Sequence, residues 1–250
     1  MDEDLQGHGR HDRAWRCDAA AHPLLTLPLH QQRQTAVSFL LPHLAEFGWG
    51  ILLTLALIVL GWAGALALGT VLAALRASPI RTVRTFAGTY VLIFRNIPLP
   101  VQMVLFVFGL PLVGIQFSLF ASAAIVLVIY TAPFVSETLR SGINTVTAGE
   151  LEASRALGFS PVGSMRFLVL PQAFASMTQP MGNVLITMVK NTSVAAVVGV
   201  AELTFTADKV AIEEVQPFIV LGGAAVAYIV IGLILRRLIA VLDRRVAFSR

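Results

Sequence analysis

Long apolar runs alternate with short polar stretches from about residue 45 to the end of the chain. An apolar run of about 20 residues is long enough to cross a bilayer as a helix. The pattern therefore predicts an all-α integral membrane protein with about five transmembrane helices, at residues 49–75, 86–113, 117–135, 180–198 and 217–239. Residues 1–36 are polar and lack sustained periodicity, so we expect a disordered tail ahead of a membrane domain at residues 37–250.

The first predicted span carries regularly spaced small residues, and the second carries two prolines. Gly61, Ala65 and Gly69 recur every four residues, which predicts a face that another helix can approach closely. Pro98 and Pro100 interrupt the second span. Because proline removes a backbone donor and disfavours helix at the residue before it, a kink or break is expected there.

The longest polar passage, residues 137–171, contains a short helix of its own. Thr147 and Glu150 have the spacing of a capping box, in which each side chain satisfies a free backbone donor at a helix start. Gly158 stands where a left-handed residue would end that helix. We therefore predict a helix at about residues 148–158, between the third and fourth spans.

Composition excludes several classes of protein. Hydrophobic residues make up 56% of the chain and charged residues only 13%, against roughly 25% charged residues in a soluble domain. The net charge of +4 is that of a membrane protein whose cytoplasmic loops collect arginine, and no basic patch interleaved with aromatics indicates nucleic acid. Cys17 is the single cysteine, and all five histidines precede the first span at irregular spacing, which argues against a metal site.

The distribution of charges predicts an orientation. Placing the short helix in the cytoplasm also places there Arg76, Arg81, Arg84, Arg140, Arg155, Arg166, Arg236, Arg237, Arg244, Arg245 and Arg250. Apart from the arginines of the tail, the other side receives Lys209 and an acidic loop with Glu202, Asp208, Glu213 and Glu214. The excess of positive charge in cytoplasmic loops then predicts an amino end outside and a carboxyl end in the cytoplasm.

The short helix and the residues after it resemble a known signature. Glu152-Ala153-Ser154, Gly158 and Leu168-Val169-Leu170-Pro171 match the spacing of the EAA motif of ABC-importer permease subunits. Ser154 replaces the second alanine of that motif, and Leu168 replaces the usual isoleucine.

Further passages resemble the polar-amino-acid branch of that family: FRNIPLPVQ at 94–102, PQAF at 171–174 and VKNTS at 189–193. Within that branch, FRNIP at 94–98 and VKNTS at 189–193 most resemble the glutamate/aspartate-type permeases. Pro100 departs from the usual Pro-Leu-Leu-Val-Gln. The whole resemblance covers about residues 45–245.

The resemblance implies the type I ABC importer permease fold, with the short helix as the coupling helix that fits a cleft of an ATPase subunit. The implied coupling site consists of Glu152, Ala153, Ser154, Gly158, Leu170 and Pro171. Glu152 would orient the helix or pair with a basic residue of the ATPase, Ala153 would pack closely, and Gly158 would form the turn. The implied partners are two ATPase copies, an identical or homologous permease subunit, and a periplasmic or lipid-anchored solute-binding protein, all at a bacterial inner membrane.

The chain lacks a phosphate-binding loop of its own. Such a loop needs a lysine shortly after a glycine-rich turn, and neither Lys190 nor Lys209 follows one. We therefore expect a transporter subunit that performs no covalent chemistry and holds no cofactor, with ATP and Mg²⁺ bound by a separate ATPase.

Ionisable residues inside the spans indicate a transport pathway. Lys190 lies about ten residues into the predicted fourth span, roughly 15 Å deep at about 1.5 Å per residue, where a charge is costly and marks a pathway by default. The candidate pathway residues are Arg95, Asn96, Lys190, Asn191, Thr192 and Ser193. The two cations would suit the carboxylates of an anionic amino acid. Alternatively, they satisfy helix ends freed by proline or pair at a subunit interface, and the sequence leaves Arg95 either buried or at the cytoplasmic edge.

Together these observations predict the permease subunit of an ATP-driven importer that works by alternating access and carries polar L-amino acids, with the acidic ones as the narrower option. An importer permease for another solute, such as methionine or a metal chelate, is the nearest alternative. A membrane-embedded enzyme is a weaker one, because no histidine follows His43 and the acids cluster in loops. A membrane anchor would leave the short helix and Lys190 without a purpose.

Overall fold

Helices make up nearly all of the regular structure in a computed structural model that describes residues 41–247, with side chains described as far as Arg244. The predicted tail at 1–36 lies outside the described residues, which contain no strand. The helices are α1 Leu44–Arg76, α2 Arg81–Asn96, α3 Leu99–Val104, α4 Leu119–Ile143, α5 Ala148–Ala156, α6 Pro161–Ser164, α7 Leu170–Asn191, α8 Leu203–Glu213 and α9 Pro217–Ala247. A π turn (Leu105–Gly109) and a 3-10 turn (Leu110–Val113) extend α3, a π turn (Met165–Val169) joins α6 to α7, and a 3-10 turn (Thr192–Val198) follows α7.

Four helical segments of the described chain are long and apolar enough to cross a membrane: α1, α4, α9 and the segment Pro161–Val198. Helices α2 and α3 meet at a bend of 104° and together could form one further, broken span. The predicted count of about five is reached when this pair is one span. The break lies at Ile97 and Pro98, inside the stretch where the sequence predicts it.

Helices α1 and α4 lie side by side and run in the same direction. Gly61, Ala65 and Gly69 of α1 are all buried, and this face meets α4 progressively, from Leu127 beside Gly61 to Val135 beside Gly69. A Cβ atom added to Gly69 would lie 2.6 Å from the Cβ atom of Val135. The structure thus confirms the predicted close-approach face, and Gly69 is glycine because no room exists for a side chain.

Helix α7 runs antiparallel to α1 and α4, and α9 runs antiparallel to α7. Met177 of α7 packs on Gly142 near the end of α4, whereas Met188, eleven residues later, reaches the middle of α1. Gln179 donates to Asp243 of α9 at 3.4 Å. The ends of α1, α4 and α9 and the start of α7 therefore gather at one end of the bundle, here called the α5 end because α5 lies between α4 and α7.

Helix α4 continues past the predicted end of the third span at residue 135 and reaches Ile143. Pro133 lies inside this helix and lacks the N–H that would bond the carbonyl of Ile129. The hydroxyl of Tyr90 on α2 donates to that oxygen instead, at 3.2 Å. The helix survives its proline because a neighbouring helix supplies the missing donor.

The helix that contains the predicted fourth span begins before Pro180. Helix α7 begins at Leu170 and passes through Pro180, with Pro171 in its first turn. Proline at a first turn costs no hydrogen bond, and Pro171 occupies that position rather than Pro180. The polar residues between these prolines are compatible with a helix, so the apolar run underestimates its length.

The break between α2 and α3 is stabilised by Gln102. Its side-chain amide donates to the carbonyl of Phe94 at 2.9 Å and to that of Ile97 at 3.0 Å. The Phe94 carbonyl is the acceptor that Pro98 leaves free. Helix α2 also begins at Arg81, earlier than the predicted residue 86, because the polar residues after α1 continue directly into it.

Candidate coupling helix and transport pathway

Helix α5 has well-defined ends. The backbone N–H of Thr147 donates to the carboxylate of Glu150 at 2.7 Å, and the N–H of Glu150 donates to the Thr147 hydroxyl at 3.3 Å, which confirms the capping box. At the other end Gly158 has φ +86°, and the N–H groups of Gly158 and Phe159 donate to the carbonyls of Arg155 and Ser154. This pair of bonds is the Schellman arrangement, which positions the chain for a sharp reversal into α6.

The charge of Glu150 reinforces this cap. The backbone N–H of Thr147, followed by its hydroxyl, holds the pKa of Glu150 below its ordinary value, and the side chain of Gln172 adds a further donor. Because Gln172 lies in the first turn of α7, this contact also connects the start of α5 with the start of α7.

The EAA residues of α5 face two different ways. Glu152 and Ala153 are exposed, whereas Ser154 is buried, with 6% of its surface accessible. Glu152 has no ion-pair partner in residues 41–244. Glu152 and Ala153 are thus accessible to solvent, while Ser154 contacts Ser164 of α6 with 2.8 Å between the hydroxyl oxygens.

Leu170 and Pro171, the last residues of the motif, lie where the π turn passes into α7. The N–H of Leu170 donates to the carbonyl of Met165, five residues earlier. Pro171 follows directly and has no N–H to donate within this turn. Both residues are exposed beside α5 rather than in the bundle core.

An exposed apolar patch surrounds the turn between α5 and α6. Leu157 is 79% exposed and Val162 is 76% exposed, and the rings of Phe159 and Phe167 lie 6.3 Å apart between centroids with their planes tilted by 52°. Together with Glu152 and Ala153, these side chains form one candidate docking surface, here called the coupling surface.

The structure places Arg95 at the α5 end of the bundle. Its guanidinium lies 3.7 Å from the carboxylate of Glu137 and over the ring of Phe134, at 5.4 Å from the ring centroid. Arg76, the last residue of α1, donates to the same carboxylate at 2.6 Å. Asn96, in contrast, bonds the carbonyl of Leu92 in its own helix.

Lys190 is exposed in a groove between α7 and α9 whose volume is about 940 Å³. Its position is about 30 Å along α7 from Leu170, and it follows Met188, which contacts Gly61 halfway along α1. Lys190 therefore lies at the middle level of the bundle, although α7 starts ten residues earlier than predicted. No carboxylate of the described side chains pairs with it, and Tyr228 lines the same groove.

Of the three residues after Lys190, two cap the end of α7 and one lines a groove. The hydroxyls of Thr192 and Ser193 donate to the carbonyls of Val189 and Lys190, each at 2.7 Å, so they cap the end of α7. Asn191 lines a second groove of about 270 Å³ between α4 and α7. Phe134, the ring under Arg95, lines this groove as well.

The geometry thus divides the candidate pathway residues. Lys190 and Asn191 line grooves and Arg95 lies beside Glu137 and Phe134, while the side chains of Asn96, Thr192 and Ser193 bond nearby carbonyls. The described contacts do not bring Arg95 and Lys190 together.

Residues 65–248 match the family model described as the binding-protein-dependent transport system inner membrane component. This match spans most of the chain and includes α5 and the grooves on both sides of α7. The chain belongs to this family.

Relatives and a solved structure agree with membership of this transport family. A probable glutamine ABC transporter permease of Bacillus subtilis (strain 168) is 33% identical over 85% of this chain and 99% of its own length. A glutamate transport system permease of Corynebacterium glutamicum is 37% identical over 64% of this chain and 75% of its own. The crystal structure of an amino acid ABC transporter with histidines superposes with a TM-score of 0.76 at 29% identity, covering 88% of this chain and 99% of that one. The predicted type I importer permease fold is confirmed.

Sequence reasoning missed one buried site in this transport component. Glu202, predicted to lie in an acidic loop, is fully buried and caps α8 by accepting the N–H groups of Thr204 and Phe205. Its carboxylate also accepts the hydroxyls of Tyr228 at 2.6 Å and Thr54 at 3.2 Å. Glutamate is not among the residues preferred at an N-cap, so the local sequence gives no cap signal for Glu202.

Proposed function

We propose that this protein is the permease subunit of an ATP-driven importer of polar amino acids at a bacterial inner membrane. The observation that carries the proposal is the coupling surface: a capped helix that projects between α4 and α7 with Glu152 and Ala153 exposed on it. The names of the relatives, glutamine and glutamate permeases, support the class of cargo.

The coupling surface is proposed to dock on a separate ATPase. Small side chains such as Ala153 allow a partner groove to approach the backbone, and Glu152 offers a carboxylate that a basic residue of the ATPase can pair with. Leu157 and Val162 add apolar area of the kind that protein interfaces bury at their centre. Two ATPase copies, a second permease subunit and an external solute-binding protein complete the proposed transporter, in which ATP-driven closure of the ATPases moves α5.

The α5 end is proposed to face the cytoplasm. Arg76, Arg140, Arg155, Arg166 and Arg244 all lie at this end, while Lys209 pairs with Glu46 and Glu213 at the other. The excess of arginine matches the charge bias of cytoplasmic loops. The start of α1 then faces outside and the end of α9 faces inside.

The cargo is proposed to pass along the grooves on both sides of α7. Lys190 at the middle level and Arg95 beside Phe134 present positive charge toward these grooves, which suits the carboxylate that every amino acid carries. An acidic amino acid carries a second carboxylate that either cation can bind at its own point of the path, so it is the proposed first choice among polar amino acids.

Capture of the ATPase by the purified permease tests the proposal. Ala153→Trp should abolish co-purification of a co-expressed ATPase, because the bulky ring blocks close approach of the two surfaces. Ile212→Trp is the matched control, since Ile212 is 79% exposed at the opposite end of the bundle and should leave capture intact. Equal capture by both variants would rule out the coupling surface as the docking site.

Uptake into proteoliposomes tests the pathway. Lys190→Met should weaken the uptake of an acidic amino acid more than that of glutamine, whereas unchanged uptake of both would remove Lys190 from the pathway. The alternative, a permease for methionine or a metal chelate, predicts uptake of those solutes instead.

A further inference from the structure

A buried pair of hydroxyls joins α5 to α6. Ser154 and Ser164 are 6% and 5% exposed, and their oxygens lie 2.8 Å apart. The hydroxyl of Ser154 also donates to the carbonyl of Leu151 at 2.8 Å. Since a serine hydroxyl has a single proton to donate, Ser164 is the donor to Ser154, and both hydroxyls are satisfied without water.

Helix α6 is in turn continuous with α7. The π turn Met165–Val169 joins them without a break, and the N–H of Leu170 donates back to Met165 across it. The ring of Phe159, in the loop between α5 and α6, also lies beside the ring of Phe167 in the π turn. A displacement of α6 must therefore displace the start of α7, whose far end carries Lys190.

We propose that Ser154 and Ser164 clamp α5 to α6, so that α5, α6 and the start of α7 move as one rigid lever throughout the transport cycle. The inference rests on the proposed function, since it concerns how movement of the ATPase reaches α7. Ser154 is then a positioning residue that faces into the protein, and the residues that touch the ATPase are its neighbours Glu152 and Ala153. The serine in place of the motif's second alanine supplies the clamp.

A reversible cross-link tests whether the two serines stay together. Ser154→Cys and Ser164→Cys are combined in a chain carrying Cys17→Ser, so that the two new thiols are alone. Oxygens 2.8 Å apart place the replacing sulfurs near the bonding distance of about 2.0 Å. In proteoliposomes with ATPase and binding protein, the oxidised sample should transport within twofold of the same sample after reduction. A tenfold loss on oxidation that reduction reverses would overturn the clamp, because it would show that the helices must separate.

Single substitutions test whether the hydrogen bond between Ser154 and Ser164 couples ATP hydrolysis to amino acid transport. Ser154→Ala and Ser164→Ala should each lower the amount of amino acid transported per ATP hydrolysed by threefold or more, while ATPase capture persists. Thr178→Ala is the matched control: its hydroxyl donates only to Phe174 within α7, and its loss should leave that ratio unchanged. An unchanged ratio in both serine variants would refute the positioning role.

The two proposals fail in different ways. Loss of ATPase capture by the unsubstituted chain would contradict the proposed function. Normal capture with an unchanged ratio in the serine variants would contradict the clamp alone.

Discussion

The hydroxyl of Tyr90 lies 3.2 Å from the carbonyl oxygen of Ile129, the acceptor that Pro133 leaves without a donor in its own helix. An unsatisfied carbonyl in an apolar environment costs about 1–3 kcal/mol. The contact therefore allows α4 to remain helical through its proline, and it attaches α2 to the centre of the bundle.

Removing that hydroxyl should destabilise the protein measurably. Tyr90→Phe keeps the ring and its packing on Phe94 but leaves the Ile129 carbonyl unsatisfied, so we expect a loss of about 1–3 kcal/mol in the free energy of unfolding. Unfolding in detergent, followed by circular dichroism, measures it. In a Pro133→Ala background a backbone N–H reaches Ile129, and the same substitution should then cost less than half as much. Equal costs in both backgrounds would show that Tyr90 does not compensate for the proline.

Gly69 provides a test of the packing between α1 and α4. Gly69→Ala places a methyl group 2.6 Å from the Cβ atom of Val135, which is closer than two carbons can lie. The helices must separate locally, and we expect a loss of about 1–3 kcal/mol in the free energy of unfolding. Gly88→Ala is the matched control, because Gly88 lies inside α2 with nothing within 4 Å of the added carbon. That control should be neutral or stabilising by up to about 1 kcal/mol, and an equal loss in both variants would contradict the close contact.

The close-packed face around Gly69 and the proline inside α4 show how far the sequence predicts the fold. The spacing of Gly61, Ala65 and Gly69 suffices to predict a close-packed face, because helix geometry alone aligns residues four apart. The partner of that face is a tertiary fact that local pattern does not contain. Likewise, proline is disfavoured inside a helix, yet Pro133 and Pro180 both lie inside helices. For Pro133, the donor that keeps the helix intact comes from a residue more than 40 positions away.

The candidate site also combines features that the local sequence predicts with features that depend on tertiary contacts. Thr147, Glu150 and Gly158 predict the ends of α5 within two residues, since caps are local chemistry. Whether a residue of α5 faces solvent or the protein interior depends on α6, so the motif alone places Ser154 in the same group as Glu152. Glu202 was assigned to a loop for a related reason: its burial comes from Thr54 and Tyr228, which are distant in the sequence.

The two arginines beside Glu137 should contribute unequally to the free energy of unfolding. The side chain of Arg76 is 13% exposed and lies 2.6 Å from the carboxylate, whereas that of Arg95 is 43% exposed and lies 3.7 Å away. Arg76→Met should therefore lower the free energy of unfolding by about 1–3 kcal/mol, the cost of leaving a hydrogen-bonded group without its partner. Arg95→Met should change it by less than about 1 kcal/mol, as is usual for an exposed pair.

Uptake measurements on the same variants separate stability from transport. If Arg95 contacts the cargo, Arg95→Met should reduce amino acid uptake at unchanged stability, and Arg95→Lys should restore part of it. Loss of stability in Arg95→Met equal to that in Arg76→Met would instead assign Arg95 to the bundle structure.

The capping box predicts how the coupling helix responds to acid. Hydrogen bonds from Thr147 hold the pKa of Glu150 below its ordinary value of 4.5 in the folded protein. A carboxylate with a lowered pKa contributes stability that is fully present above pH 4.5 and is lost as the pH falls through the lower folded-state pKa. Helix α5 should therefore lose its amino-terminal cap in acid before the membrane helices unfold.

Hydrogen exchange of the α5 amides, corrected for the intrinsic effect of pH, measures this loss. We expect protection of the first turn of α5 to decrease below pH 4.5 while protection of α1 and α4 stays constant. Glu150→Gln retains a side chain that can accept a hydrogen bond but carries no titrating charge, so its protection should be lower at neutral pH and nearly independent of pH. Glu152→Gln, on the same helix but outside the capping box, should behave as the unsubstituted chain. A pH profile that persists in Glu150→Gln would show that another group controls the cap.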